Sequence, residues 1–356
     1  MKRYLFAALS IALLSCSSSD SQTPTPSEAM YFPPISGDTW ETKSISELGW
    51  NEAQVQPLLD YLEEKNTKSF IILVNGRIVM ENYFNGHTAT TPHYWASAGK
   101  TLTATLTGIA QQEGHLSIND KVSDYLGTGW TSMPPEEENL ITNRHLLTMT
   151  SGIDDSDPQE CVTPDCLTYA ADAGTRWAYH NVYVKLQDVI ASATGQSFNS
   201  YFNSRLRDKI GMTGVWANVD HSRVYFSNTR SMARFGLLAL NKGKWESQQI
   251  VNEAFFNDAT STSQNINLAY GYLWWLNGKQ SYHLPRVQLE FEGSLIPTAP
   301  ADMYMALGKN DQKIYVVPSR KMVVIRMGDA ADGANFALSD FDADLWEKLG
   351  LLFSGQ

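Results

Sequence analysis

Cysteine is scarce in this chain: three among 356 residues, at positions 16, 161 and 166. The seven histidines show no HxxxH or HExxH spacing, and no cysteine cluster stands near them. A zinc or other metal site is therefore not expected. Positive charge is also thin. Lys and Arg total 27 against 38 Asp and Glu, giving a net charge of −11. No basic block occurs, which argues against a nucleic-acid partner. Beyond the first residues no apolar run is long enough to cross a bilayer. No internal repeat of fixed period is present.

Two nucleotide-binding patterns fail on single residues. Gly99-Lys100-Thr101 resembles the end of a phosphate-binding loop, but Tyr94 stands where the first glycine belongs. Gly127 and Gly129 begin a GxG, but Ser132 replaces the third glycine. An α/β-hydrolase elbow around Ser97 fails because Trp95 takes the place of its first glycine. No cofactor is implied.

What is present begins with the leader. "MKRYLFAALSIALLSC" places Lys2 and Arg3 before a short apolar run, the pattern of a signal peptide over 1–16. "LLSC" resembles a bacterial lipobox, with Cys16 as the cleavage and lipidation site. The expected location is the bacterial cell envelope, with the membrane reached through a lipid anchor alone. Residues 17–39 open with a Ser/Thr/Pro-rich stretch and read as a flexible tether. Cys161 and Cys166 in "CVTPDC" are expected to pair as a disulfide in an exported protein.

From residue 40 the chain reads as one catalytic domain to 356. "SISELGWNEAQVQPLLDYLEEKN" (44–66) has helical spacing. Asn75-Gly76 separates two strand-like runs, a strong hairpin signal. The middle reads as mostly helical, with stops at Gly152, Gly195 and Gly243. From Tyr270, "YGYLWWLN", "DMYMALG", "KIYVVPS" and "KMVVIRMG" read as antiparallel strands, and "DFDADLWEKLGLLF" as a closing helix. The expectation is a mixed α/β part from about 40–114 and 265–356, with a helical part at about 115–264 inserted.

Candidate chemistry starts at "YWASAGKTLTATLTG". Ser97 and Lys100 lie three apart at a helix start, so Oγ and Nζ share a face. The helix dipole and free N–H groups favour negative charge there. A desolvated lysine can act as a base. Spacing alone also fits a cap serine and a surface lysine. In "GTRWAYHNVYVKL", Tyr179 and Asn181 flank His180 and point the same way. Tyr179 could shuttle a proton and Asn181 could hold a substrate carbonyl. They could equally be a core tyrosine and a helix cap. His283, in "SYHLPR", could line the pocket or act as a base, though a structural role is commoner. Trp95, Trp274 and Trp275 could wall the cleft or fill the core.

With these residues in order, the chain resembles the serine β-lactamase and penicillin-binding-protein superfamily, in its class C β-lactamase-like branch. Ser97-Ala98-Gly99-Lys100 matches its Ser-x-x-Lys, and Tyr179-His180-Asn181 its Tyr-x-Asn. "LITNRHLLTMTSGI", "SMARFGLLALNKGKW", "YGYLWW" and "KIYVVPSRKMVVI" are similar to its later segments. The resemblance covers about residues 40–350. It implies an α+β fold, an antiparallel sheet flanked by helices with a helical region inserted, and a site between them. It implies Ser97 as acylated nucleophile, Lys100 and Tyr179 sharing acid–base work, and Asn181 orienting a small-molecule or peptide-like substrate.

The third motif departs from the family's Lys-Thr-Gly. One alignment puts Ala306-Leu307-Gly308 on the strand with "KND" in the turn. The other puts Lys309-Asn310-Asp311 at the motif. Gly308 and Lys309 are the candidate substrate-binding residues there. The usual lysine and threonine bind a carboxylate, so their loss favours a neutral ester or amide. A weak or inactive envelope binding protein of the same fold, and a true β-lactamase or D-alanyl carboxypeptidase, are the alternative readings.

Overall fold

The computed structural model describes residues 28–156, 161–333 and 338–355. Cys16, the leader and part of the tether lie outside that range. The helices are α1 (Val55–Glu64), α2 (Lys100–Gln112), α3 (Ser123–Leu126), α4 (Pro135–Glu138), α5 (Asn143–Leu147), α6 (Tyr183–Thr194), α7 (Phe198–Phe202), α8 (Thr229–Leu240), α9 (Glu253–Ala259) and α10 (Asp340–Phe353). Strands β1 (Thr67–Val74) and β2 (Arg77–Tyr83) come early, followed by the short β3 (His93–Tyr94). β4 (Val215–Val219), β5 (Ser222–Ser227), β6 (Lys244–Trp245) and β7 (Gln248–Gln249) lie in the middle of the chain. β8 (Trp275–Leu276), β9 (Ser281–His283), β10 (Glu290–Glu292), β11 (Tyr304–Gly308), β12 (Gln312–Val317) and β13 (Met322–Gly328) follow.

The main sheet has six antiparallel strands in the order β2-β1-β13-β12-β11-β8. β1 therefore pairs directly with β13 from the far end of the chain. Both faces are covered. α8 lies on the face of Ile314, Val323 and Ile325, where Gly236 packs so tightly that a Cβ would sit 2.5 Å from Val323 Cγ1. α10 lies on the other face, with the Trp346 ring 5.6 Å from that of Tyr315. Burial on both faces explains why "MVVIRMG" is apolar but for Arg326, with every residue from Met322 to Gly328 buried. Each such Val or Ile contributes roughly 1.5–3 kcal/mol on leaving water.

The Asn-Gly hairpin forms as its residues demand. Asn75 and Gly76 take φ of 50° and 84°, the left-handed pair that a two-residue turn requires. Elsewhere local chemistry departs from the expected pattern. The stretch 44–66 is not one helix. Gly49 takes φ 67° and ends a 3-10 turn over Ser46–Leu48. Asn51 then caps a second turn by accepting from Ala53 N–H, and α1 begins only at Val55. Trp50, between the breaks, packs its ring 4.5 Å from Phe353. The middle is not purely helical either. β4 and β5 form a hairpin, joined to β3 in a three-stranded sheet. Its turn runs through Asp220 at φ 50° and carries no glycine, so the usual hairpin signal is missing. "YGYLWWLN" yields only the two-residue β8, because Tyr272 and Leu273 donate sideways to Ala259 O and Leu147 O.

Cys161 and Cys166 form a disulfide with Cα atoms 5.7 Å apart. It closes a small loop inside the segment bracketed by the Ile153–Tyr169 bridge. Among the described residues, no helix is long and apolar enough to cross a membrane.

Candidate active site

The nucleophile candidate is positioned by its neighbour Trp95. That residue is fully buried, and its backbone N–H donates to Tyr225 O at 2.8 Å. Its indole Nε1 donates to Ser227 Oγ at 2.7 Å. With Trp95 fixed to β5, the chain turns sharply through Ala96, which takes φ 47°. A left-handed alanine costs about 1–2 kcal/mol and persists only where its surroundings enforce it. A 3-10 turn over Ala96–Gly99 follows, leading straight into α2 at Lys100. Residues three apart eclipse in a 3-10 turn. Ser97 stays half-buried, whereas Lys100 is 1% exposed. Lys100 Nζ lies 2.6 Å from Ser97 Oγ.

The second group arrives from the loop before α6. Ala178 N–H donates to Met149 O at 2.8 Å, anchoring that loop. Asn181 is buried and uses both ends of its amide. Its Oδ1 accepts from Lys100 Nζ at 3.3 Å, and its Nδ2 donates to Ser222 Oγ at 2.7 Å. Lys100 Nζ also lies 4.7 Å from the Tyr179 ring centroid and 4.8 Å from that of Tyr183. An ammonium beside two aromatic faces is stabilised by their quadrupoles. Trp275 and Tyr270 back the Tyr179 ring at 5.6 and 6.1 Å. Ser97, Lys100, Tyr179 and Asn181 are thus brought together.

His180, between the last two, is buried. Burial, reinforced by the charges of Lys100 and Arg176, pushes its pKa down to about 3. It is a neutral ring at any ordinary pH.

The third wall is the end of β11. Ala306, Leu307 and Gly308 are on the strand, and Lys309 to Asp311 form the turn, with Asn310 and Asp311 at φ 60° and 58°. A Cβ on Gly308 would lie 2.4 Å from Trp95 O and 3.0 Å from Ala98 N. The strand end therefore presses against the Ser97 turn. Lys309 is exposed, and no hydrogen bond joins its side chain to the four residues above. Asn310 Nδ2 donates to Tyr94 Oη.

Asp311 is turned into the core, so the alternative alignment through Lys309-Asn310-Asp311 does not hold. Its carboxylate meets Lys313 Nζ at 3.1 Å and accepts from Ser339 Oγ at 2.9 Å and Ala331 N–H at 3.1 Å. Burial alone would raise the Asp311 pKa. Lys313 and these hydrogen bonds outweigh it and hold the group below its ordinary value.

Arg326, fully buried, ties the turn from beneath by donating to Asn310 O, Asp311 O, Lys65 O, Asp329 O and Thr67 Oγ1.

The remaining candidates sit further back. His283 is buried on β9, bonded through its backbone to Asn267, with its ring 6.4 Å from Trp177. Trp274 stacks on Phe235 in the core. Two residues escaped the sequence reading. Tyr183 carried a signal, as an aromatic four residues after Tyr179. Ser222 carried none, because it comes from the unexpected hairpin. Among the described residues no cluster of metal-ligating side chains occurs.

The family profile described as Beta-lactamase matches residues 62–345. Comparison with curated proteins returns no match. Among solved structures, one similar protein is named "putative 6-aminohexanoate-dimer hydrolase", from Bacillus anthracis. It is 18% identical with a TM-score of 0.68, covering 90% of this chain and 89% of its own. A penicillin-binding-protein homologue from Caulobacter crescentus is 11% identical with a TM-score of 0.65, covering 90% and 100%. EstCE1, a hydrolase with promiscuous acyltransferase activity, is 12% identical with a TM-score of 0.60, covering 86% and 98%.

Proposed function

The chain belongs to the Beta-lactamase family, and from that premise we propose that it is a serine hydrolase acting on a neutral ester or amide. The observation that carries this reading is Lys100 Nζ, buried and 2.6 Å from the half-buried Ser97 Oγ. Once its ammonium has given up a proton, Lys100 Nζ takes the Ser97 proton as Oγ attacks the substrate carbonyl carbon. The carbonyl π electrons move onto oxygen. Backbone N–H groups of Ser97 and of the β11 end stabilise that oxyanion. Collapse expels the leaving group, which takes a proton relayed from Lys100 through Tyr179. An acyl ester remains on Ser97. Water, deprotonated by the same pair, adds to it, and the acid leaves with Ser97 restored.

The third wall narrows the substrate. Ala306, Leu307 and Gly308 offer neither cation nor hydroxyl where relatives hold a carboxylate, and Lys309 points to solvent. This favours a neutral acyl group over a β-lactam or D-alanyl peptide. The likeness to a protein named for a 6-aminohexanoate dimer draws attention to linear amides within that class.

Intact-mass spectrometry after a fluorophosphonate tests the nucleophile. One adduct is expected on Ser97 and none on Ser97→Ala, whose turnover of p-nitrophenyl esters should fall about a thousandfold or more. An adduct surviving that substitution would sink the reading. We also propose that Cys16 carries a lipid anchor placing the enzyme at the bacterial envelope. Metabolic labelling with an alkynyl fatty acid should mark the wild type and spare Cys16→Ser; equal labelling of both would refute the anchor.

A further inference from the structure

The proposed base, Lys100, has a neighbour whose own orientation needs explaining. Asn181 Oδ1 faces Lys100 Nζ at 3.3 Å, and its Nδ2 is bonded to Ser222 Oγ at 2.7 Å. A lysine nitrogen that is to accept a proton has one lone pair and two N–H groups. The lone pair must point at Ser97 Oγ. That requires acceptors elsewhere for the N–H groups, and Asn181 Oδ1 supplies one. The amide works only if its plane is held. Ser222 holds it from the far side.

Ser222 is itself held firmly. It opens β5, immediately after the turn of the β4–β5 hairpin. Its neighbour Arg223 pairs with Asp188 of α6 at 2.6 Å. The Arg223 carbonyl accepts from Tyr183 Oη at 2.7 Å. Tyr183 is the residue whose ring lies 4.8 Å from Lys100 Nζ. The hairpin is therefore clamped to the helix that carries the second wall of Lys100. None of these clamps uses the Ser222 side chain.

We propose that Ser222 is a positioning residue of the acylation step, acting through Asn181 to aim the Lys100 lone pair at Ser97. The role rests on the reading of Ser97 as nucleophile. It extends the site by one side chain from a hairpin outside the three motif segments. Ser222 touches neither substrate nor reacting atoms in this scheme, so its effect belongs to the chemical step and not to substrate affinity.

The test uses the full chain and a fluorophosphonate, with inactivation of Ser97 followed by intact mass over a range of probe concentrations. For Ser222→Ala the maximal rate constant should fall about tenfold, the cost of one hydrogen bond in the chemical step, with half-saturating concentration nearly unchanged. Ser222→Cys, close in volume but a weak acceptor, should behave alike and covers the case in which the alanine variant does not fold. Ser222→Thr, which keeps the hydroxyl, should restore most of the rate. In an Asn181→Ala background Ser222→Ala should cost little more, because the two act as one unit. Equal maximal rates for the wild type and both Ser222→Ala and Ser222→Cys would overturn the role of Ser222 alone. A change confined to half-saturation would do the same. No adduct on wild-type Ser97 would overturn the nucleophile reading and the role together.

Discussion

At the scale of the residue, His180 ties the fold to pH. It sits between Tyr179 and Asn181, and its pKa is held at about 3 by burial and by the Lys100 and Arg176 charges. In the unfolded chain the same ring titrates near 6.5. As pH falls from there towards 3, the unfolded state gains a proton that the folded state refuses. Stability that is complete above the unfolded pKa is therefore lost across that window. His180→Asn removes the titration. Its thermal midpoint should fall less between pH 7 and about 4.5 than that of the wild type. Parallel declines would contradict the assignment of His180 as a buried neutral ring. Spacing let Ser97 and Lys100, and Tyr179 and Asn181, share a direction, but it fitted a helix cap and core residues as well; the ordered resemblance of both motifs is what singled the four out. Tyr183 carried a spacing signal that went unread, whereas Ser222 carried none, since it meets Asn181 through a fold contact that spacing does not encode.

At the scale of the element, the β11 end is the sharpest constraint. Gly308 is held by sterics and not by turn geometry: any Cβ there meets the carbonyl of Trp95, a residue β5 already fixes through its N–H and indole. Gly308→Ala must push the strand or the Ser97 turn aside. It should lower Ser97 labelling by about tenfold and cost roughly 1–3 kcal/mol of stability, an overpacking penalty. Unfolding curves and labelling rates on the same sample would check both. The long strands were readable because β12 and β13 are covered on both faces and so are mostly apolar, with Gln312, Lys313 and Arg326 as their polar exceptions. Where the reading failed, the cause was local. Gly49 and Asn51 cut a periodic stretch into two turns and a short helix. The β4–β5 turn, built on Asp220 and His221, offered neither glycine nor asparagine to announce it. Which of two third-motif alignments applied was beyond the sequence, because Lys309, Asn310 and Asp311 are all ordinary turn residues. Only Asp311's burial against Lys313 and its bond from the half-buried Ser339 separate them.

At the scale of the whole molecule, the six-stranded sheet is assembled from both ends of the chain. β1 and β2 come from residues 67–83, and the strands beside them from 304–328. Arg326 joins the two sets, and its bond to Thr67 spans 259 residues. Closing a flexible loop of that size costs about 5 kcal/mol of chain entropy before any pairing rewards it. A chain cut after residue 300 keeps the Ser97 and Asn181 segments and the β1–β2 hairpin, yet loses β13, the partner on the other side of β1. It should show no cooperative unfolding transition by circular dichroism, and a cooperative melt would argue for an independently folding front half.

The same joining has a meaning for the chain as it is made. A ribosome adds about 5–20 residues per second and releases the amino-terminal end first. The β1–β2 hairpin therefore emerges long before β13 exists to cover its open side. Until the last strands arrive, β1 offers a bare row of N–H and C=O groups and the apolar face of Phe70 and Ile72, the surface that passing chains and holding chaperones bind. The Ser97 turn lies in the first third of the chain, but the sheet that packs against it is completed only by the final thirty or so residues.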